Sequence, residues 1–349
     1  MSRNFRQLHL PPYLYLTPSV IHRSVAIFAL LLPQFIMLFV TRSFSNVFIV
    51  LVSILATALA ELTSNLIRHK NTFYDLTFLV QGFMIGMLIP SSYPILAVFI
   101  FVYLSMLFSK HIFGYTGDSW VNSTVFTAVF LYIVGMGFFP ENVLTRQIME
   151  SAQPGLSLIS NGSIAVQDFD SKMTFWLNTH LFAHTGIEIP NGYISLFWDS
   201  ASPIPAFRFN FLTLISSIIL ISFDLINFII PTVYLLFYGI LVYLFSLTSF
   251  TSQIGQGDIL LSLLTSGTLF TAFFLLDFYG TSPKTIVGRV VYALFAGLLS
   301  FLICGAGMSS SGNFFVVLVC NIFSPVIQYV EDKTYILHVN KLFRKNNYA

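Results

Sequence analysis

Five carboxylates stand inside or at the edges of long apolar runs in this sequence: Glu61, Asp75, Asp224, Asp258 and Asp277. A charge held in hydrocarbon is costly, so such groups are rare and tend to mark ion paths, proton relays or paired structural sites. Glu61, Asp75 and Asp277, with the Ser and Thr residues around them, offer the oxygen ligands and ionisable groups that a small cation would need. A structural reading stands beside this one. Asp75 before Leu-Thr and Asp258 opening a helix also read as N-caps. Glu61 is harder to read that way, since it lies well inside its run, with Arg68 two turns further on. The two cysteines, Cys304 and Cys320, each fall inside an apolar run. A pair of thiolates cannot hold a four-cysteine iron–sulfur cluster, so they read as packing residues unless a partner supplies more ligands. The sequence has no metal-ligand spacing, phosphate-binding loop, G-x-S-x-G elbow or basic stripe. No metal site and no nucleic-acid partner are therefore expected.

The elements that must position these groups are membrane helices. Of 349 residues, 56% are hydrophobic and 9% charged, against roughly 25% charged in a soluble domain. The uncharged runs have the roughly 17–25-residue length of a bilayer crossing, and a segment in hydrocarbon must satisfy its own backbone, which makes it a helix. Spans are predicted near 24–41, 45–66, 76–90, 94–109, 121–139, 209–223, 228–247, 259–276, 286–303 and 313–330. Those at 76–90 and 209–223 are shorter than a full crossing and read as broken or re-entrant helices.

With the N-terminus inside, the inner segments collect Arg3, Arg6, Arg23, Arg68, Lys70, Lys110, Lys284, Arg289, Lys333, Lys341, Arg344 and Lys345, which is 12 of the 16 basic residues. Short cytoplasmic loops hold positive charge, so both termini are predicted to be cytoplasmic. Met1–Pro12 lacks the apolar core and cleavage site of a removable signal, so the first span is expected to stay. Residues 140–208 break the apolar pattern with turn and surface residues such as Pro154, Gly155, Asn161, Gly162, Pro190 and Gly192. With Trp176 and Trp198 inside it and Trp120 at a helix start, the loop is expected to lie on the outer face against the bilayer, and Asp168 and Asp170 read as solvated loop charges.

The loop divides the spans into two blocks of five. Asp75-Leu-Thr-Phe-Leu-Val-Gln-Gly82, followed by Pro90-Ser-Ser-Tyr-Pro94, looks like Asp258 through Gly267, followed by Thr281-Ser-Pro283. An odd number of spans per block makes the repeats inverted, the arrangement in which broken helices meet at a central site. The predicted fold is an all-α integral membrane protein of about ten transmembrane helices in two inverted five-helix repeats with broken or short helices. Its divisions are 1–139, the loop 140–208, 209–330 and a cytoplasmic tail 331–349.

An ordered set of motifs resembles one family. It runs from Leu10-Pro-Pro-Tyr-Leu-Tyr-Leu-Thr17 and Ala29-Leu-Leu-Leu-Pro33 to Glu61, Arg68-His-Lys70, Asp75-Leu-Thr77 and Gly82 through Pro90. Lys110-His-Ile-Phe-Gly-Tyr-Thr-Gly117 with Asn122 resembles K-x-[IL]-F-G-G-x-G-x-N. Ala272-Phe-Phe-Leu-Leu-Asp277, Thr281-Ser-Pro283, Gly288-Arg289, Gly312-x-Phe-Phe-Val-Val-Leu-Val and Asn321 before Pro325 complete it. The family joins the D subunit of the Rnf electron-transport complex and the B subunit of the sodium-translocating NADH:quinone reductase. The resemblance implies a subunit of a bacterial inner-membrane complex that passes electrons from ferredoxin or NADH through flavin, coupled to Na⁺ or H⁺ transport, with the other subunits of that complex as partners. It also implies FMN esterified to a loop hydroxyl and a second, non-covalent flavin. The nearest stretch to the attachment motif S/T-G-A-T/S-P-L is Asp199-Ser-Ala-Ser-Pro-Ile204. Ser202 is then the covalent FMN candidate, with Asp199 and Ser200 in the places of the first Ser/Thr and the Gly. A phosphoester needs an accessible hydroxyl, and Ala201 leaves room around it. Departures are the Asn122-Ser-Thr in place of Asn-Pro-Ala, Leu276 in place of Thr, and the missing G-E-T-S segment. A small-solute channel of the same inverted-repeat architecture, without redox activity, is the alternative reading.

Overall fold

The computed structural model describes residues 19–69, 72–112, 121–139, 166–184, 186, 188–246, 258–305 and 309–346. Leu10–Thr17, Lys70, Phe113–Gly117, Trp120, and the Pro154, Gly155, Asn161 and Gly162 part of the loop lie outside the described residues. Regular structure among those described is helical throughout. In chain order the helices are α1 Val20–Val40, α2 Phe44–Arg68, α3 Thr77–Leu88, α4 Ile95–Met106, α5 Ser123–Val134, α6 Asp170–His180, α7 Tyr193–Trp198, α8 Asn210–Ser222, α9 Ile229–Ser246, α10 Ile259–Thr265, α11 Ile286–Cys304 and α12 Gly312–Asn346. A π turn, Leu107–Ile112, continues α4, and α10 resumes after Gly267 as Thr268–Phe270 and a second π turn, Thr271–Leu275.

Burial is inverted relative to a soluble domain. Gln34, Ser53, Thr57, Glu61, Gln81, Asn122, Thr213, Asn313 and Asn321 are buried, while Ile36, Val40, Phe48, Leu55, Ile218, Leu236, Leu302 and Val326 stand exposed. An apolar shell around a polar seam is stable only with lipid outside. Four helices, α1, α2, α11 and the first part of α12, are long and apolar enough to cross a bilayer, and five shorter apolar helices accompany them.

Local sequence explains the packing. Along α2 the buried positions Val50, Ser53, Ala56, Thr57, Ala60, Glu61 and Ser64 recur at helical spacing on one stripe. Small residues there meet Gly82 and Gly86 of α3 so closely that a Cβ on Gly86 would lie 2.5 Å from the Val50 Cα. Close backbone approach through small residues is how membrane helices gain contact without a hydrophobic drive.

In the first half α3 packs on α1, α2 and α5, and α4 packs on α2 and α5. In the second half the α10 segment packs on α8, α9 and α12, and α11 packs on α9 and α12. The halves meet through α1 with α8 and α5 with α12. Polar contacts sort the helix ends onto two faces. Arg23, Ser24, Glu61, Lys110, Asn227, Asp277, Tyr279, Thr285 and Glu331 pair on the face where α1 begins. Ser43, Ser92, Phe138, Tyr193, Asp199, Arg208 and Asp258 pair on the face that carries α6 and α7.

Three expectations change. The 209–223 span is one short continuous helix of 13 residues rather than a broken one, and the interruption falls instead at Ser266–Gly267 of the 259–276 span, where Gly267 takes φ 75°. The stretch 76–90 is a 12-residue helix that ends at Leu88, before Pro90. The 331–349 tail starts as a continuation of α12, which runs unbroken through 35 residues to Asn346. At 1.5 Å per residue that is about 52 Å, well beyond a hydrocarbon core of about 30 Å.

Candidate functional site

The interrupted helix at 259–277 is the centre of the molecule. A break and a π turn strip carbonyls of their helical partners, and inside a membrane each must find another donor. Five other helices supply one each: Asn210 Nδ2 of α8 donates to the Leu264 carbonyl at 2.9 Å, Asn313 Nδ2 of α12 to Ser266 at 2.5 Å, Asn122 Nδ2 before α5 to Leu275 at 3.1 Å, Tyr292 OH of α11 to Leu276 at 3.2 Å, and Arg23 Nη2 of α1 to Asp277 at 2.6 Å. Asn122 does double duty, because its Oδ1 accepts from Thr124 N and Val125 N and so caps α5. Of these donors only Asn122 was prominent in the sequence, as part of a motif; the scattered Asn and Tyr of apolar runs were the available signal for the rest.

Asp277 closes this helix. Its Oδ1 accepts from Ser282 Oγ at 2.7 Å and its Oδ2 from Asn227 N at 3.0 Å. Arg23 lies 4.0 Å from Oδ2 and over the Tyr279 ring at 5.3 Å, and Tyr279 OH meets Ser24 Oγ at 2.6 Å. A cavity of about 430 Å³ opens beside the group, lined by Arg23, Asp224, Asn227, Asp277, Lys284 and Arg289 among others. Its charge is mixed, three cations and two carboxylates, so it suits a polar ligand.

Glu61 has a partner that the sequence did not point to. Lys110 Nζ, on the π turn after α4, donates to Glu61 Oε2 at 2.8 Å and to Thr77 Oγ1 at 3.0 Å, and both charged side chains are essentially without solvent exposure. His111 Nε2 is 3.6 Å from the same carboxylate oxygen, and Thr72 donates to the other. Thr72 Oγ1 also lies 2.5 Å from Asn65 Oδ1, and its single proton serves one of the two oxygens at a time. Lys110, counted by sequence among the inner-segment charges, is thus a buried counter-ion. Asp75 ends a 3₁₀ turn, and the N-cap of α3 is Leu76, not Asp75. Asp75 stands two residues before Thr77, which Lys110 reaches together with Glu61, so Glu61 and Asp75 lie on the face where Arg23 holds Asp277. Asp258 is the N-cap expected of it, accepting from Leu261 N at 2.9 Å and from Tyr193 OH on the opposite face.

On that opposite face Asp199 is held bidentately by Arg208, 2.7 Å to Nε and 2.8 Å to Nη2, and Arg208 also reaches Ser43 at 2.9 Å. Ser200 spends both its hydroxyl and its N–H inside the loop, on Phe207 O and Arg208 O. The residues between are pushed out as a stapled tip: Ala201 and Pro203 are exposed and Ser202 half-buried, its Oγ accepting from Ile204 N at 3.3 Å. An ester anchor needs a hydroxyl that donates to no other group, and Ser202, unlike Ser200, has its Oγ only as an acceptor of a long bond among the described residues. Asp170 corrects an expectation: it is buried, accepting from Gly192 N at 2.7 Å, Ser195 N and Oγ at 2.6 Å each, and Thr174 Oγ1 at 3.2 Å. Burial raises its pKa, but those four donors outweigh it and hold the carboxyl below its usual range. Asp168 is exposed as expected. Cys304 and Cys320 are both fully buried, which agrees with packing residues.

An apolar shell, a polar seam and an interrupted helix clamped by five others define a polytopic α-helical membrane protein. The chain belongs to the NQR2, RnfD, RnfE family, whose sequence profile matches residues 8–336. It is 25% identical over 313 residues, 84% of this chain and 87% of the relative, to the D subunit of an ion-translocating oxidoreductase complex of Psychromonas ingrahamii. It is 25% identical over 285 residues, 80% of each chain, to the D subunit of a proton-translocating ferredoxin:NAD(+) oxidoreductase complex of Clostridium ljungdahlii. It is also 29% identical over 123 residues, 35% of this chain and 36% of the relative, to the D subunit of a Na(+)-translocating ferredoxin:NAD(+) oxidoreductase complex of Acetobacterium woodii.

Proposed function

We propose that this chain is the D-type membrane subunit of an Rnf-like ion-translocating oxidoreductase complex, working with the complex's other subunits in a bacterial inner membrane. The observation that carries the reading is the clamped, interrupted helix with Glu61, Asp75 and Asp277 gathered at one face, in a chain that matches this family across residues 8–336. Ten crossings in two inverted repeats, divided at 139/140, 208/209 and 330/331, are supported by the matching packing order of the two halves and by the sorting of helix ends onto two faces. Both termini lie on the cytoplasmic side in this reading, as the distribution of basic residues requires, and α6 and α7 lie outside. Trp176 and Trp198, both partly exposed on that face, suit the interface.

In this reading FMN is esterified to Ser202, supported by the tip geometry, and a second, non-covalent flavin belongs to the same subunit. Bound flavin supplies electron transfer, and the redox chemistry is the cofactor's own. The chain's own residues do the rest: Asp199 and Arg208 shape the tip, Ser202 offers the anchoring oxygen, and the clamp fixes the distance from tip to acidic face. A solute channel is not favoured, because Phe207, Phe270 and Phe274 pack against one another along the interrupted helix. The test is deletion and complementation in the source bacterium's membranes. Vesicles lacking the chain should lose ferredoxin- or NADH-dependent cation uptake and regain it with the wild-type copy. Unchanged uptake in the deletion, or solute flux from the isolated chain in liposomes, refutes the assignment.

A further inference from the structure

The Lys110 ammonium sits where a metal cation would. It lies 2.8 Å from a carboxylate oxygen and 3.0 Å from a threonine hydroxyl, both fixed by helices other than its own. The set is made of hard oxygens, the donors that alkali and alkaline-earth cations take. Its carrier is not a rigid α-turn but the π turn Leu107–Ile112, and single π turns of this kind concentrate at functional positions. Relaxing one residue of a π turn into α register rotates the residues beyond it by about 100° around the helix, enough to lift Nζ off Glu61. Asp75 lies close on the chain, two residues before the Thr77 whose Oγ1 Lys110 already touches at 3.0 Å.

We propose that Glu61 and Thr77 form a monovalent-cation site whose occupant in this state is the tethered ammonium of Lys110, and that an entering Na⁺ exchanges with it. Charge balances throughout: one cation faces Glu61 before and after, and the displaced ammonium passes to Asp75. An unpaired carboxylate in a dry site is strongly disfavoured, so the exchange is coupled: the lysine leaves as the metal arrives. This rests on the ion-translocating reading and names the group that would keep the path closed when no cation is present.

The test uses the intact complex, purified in detergent in NaCl or in choline chloride. Acylation of Lys110 by a small amine reagent, followed by peptide mass spectrometry, should rise several-fold with NaCl and saturate; labelling that ignores Na⁺ overturns the proposal. In Lys110→Met the site is open, so NaCl should raise the thermal midpoint by about 3 °C or more over choline chloride, and Lys110→Met/Glu61→Gln should not respond. If the single variant cannot be recovered even in NaCl while the double variant can, the carboxylate accepts no cation but lysine and the proposal fails. Neither readout uses pumping. Failed pumping with Na⁺-dependent labelling sinks the translocation reading alone, and normal pumping with Na⁺-blind labelling sinks the exchange alone.

Discussion

At the scale of single residues, what matters is which charges are paired and which are solvated. Glu61 and Asp277 are anchored by several donors, whereas Asp168 is bathed in solvent. Glu61→Gln and Asp277→Asn should therefore cut cation pumping in vesicles far more than Asp168→Asn at equal protein level; comparable losses would refute the argument from burial. Asp170 does not serve as a second control, because its carboxylate ties α6 to α7. Asp170→Ala leaves Gly192 N and Ser195 N without partners and should destabilise the loop by about 1–3 kcal/mol, seen as faster proteolysis between α6 and α7. The sign of its pH dependence follows from a lowered folded-state pKa: the stabilisation is complete above the ordinary value of about 3.9 and fades only as pH falls below it. The same loop carries the cofactor test. Ser202→Ala should abolish denaturation-resistant flavin fluorescence and its mass increment, while Ser200→Ala should keep both; no increment on the wild-type chain made with its own flavin transferase would remove FMN from the account.

At the scale of elements, the interrupted helix is held by donors rather than by propensity. Asn122→Asp keeps the cap on α5 but loses the bond to Leu275 O, and Asn122→Ala loses both. The first should cost about 1–3 kcal/mol and the second more, read as thermal unfolding in detergent; an Asn122→Asp variant as stable as the wild type would mean that the clamp contributes nothing. Gly267 is fixed twice over, by φ 75° and by the Phe207 ring, 2.5 Å from where a Cβ would sit. Gly267→Ala should therefore destabilise by more than the roughly 1–2 kcal/mol of left-handed backbone alone. Gly82 and Gly86 are different: their φ is helical, and the constraint is the closeness of α2.

At the scale of the whole molecule, the two faces defined by polar contacts carry the topology. A cysteine at Lys172, on α6, and one at Arg344, at the far end of α12, should be labelled from opposite sides of sealed cells by a membrane-impermeant thiol reagent. Labelling of both from outside would overturn the orientation. The length of α12 gives the prediction a physical handle, since about 13–22 Å of it must leave the hydrocarbon core at the 0–40° tilts that membrane helices adopt.

Composition and periodicity were enough for the sequence alone to determine a membrane protein made of helices, because a bilayer leaves the backbone no other choice. The ordered motifs were enough for the family, and the scarcity of charge in apolar runs brought forward Glu61, Asp75, Asp224, Asp258 and Asp277. The partners of those charges were decided only by tertiary structure. Lys110 is 49 residues from Glu61 and Arg23 is 254 from Asp277, and no local pattern encodes such separations. The site of the break was likewise hidden: hydropathy reports how long an apolar run is, not whether donors from five other helices are present to satisfy a carbonyl left open in the middle of it. Asp170 misled for the same reason. Its neighbours in sequence are those of a solvated loop, and its burial is the work of Gly192 and Ser195, brought against it by the packing of α7.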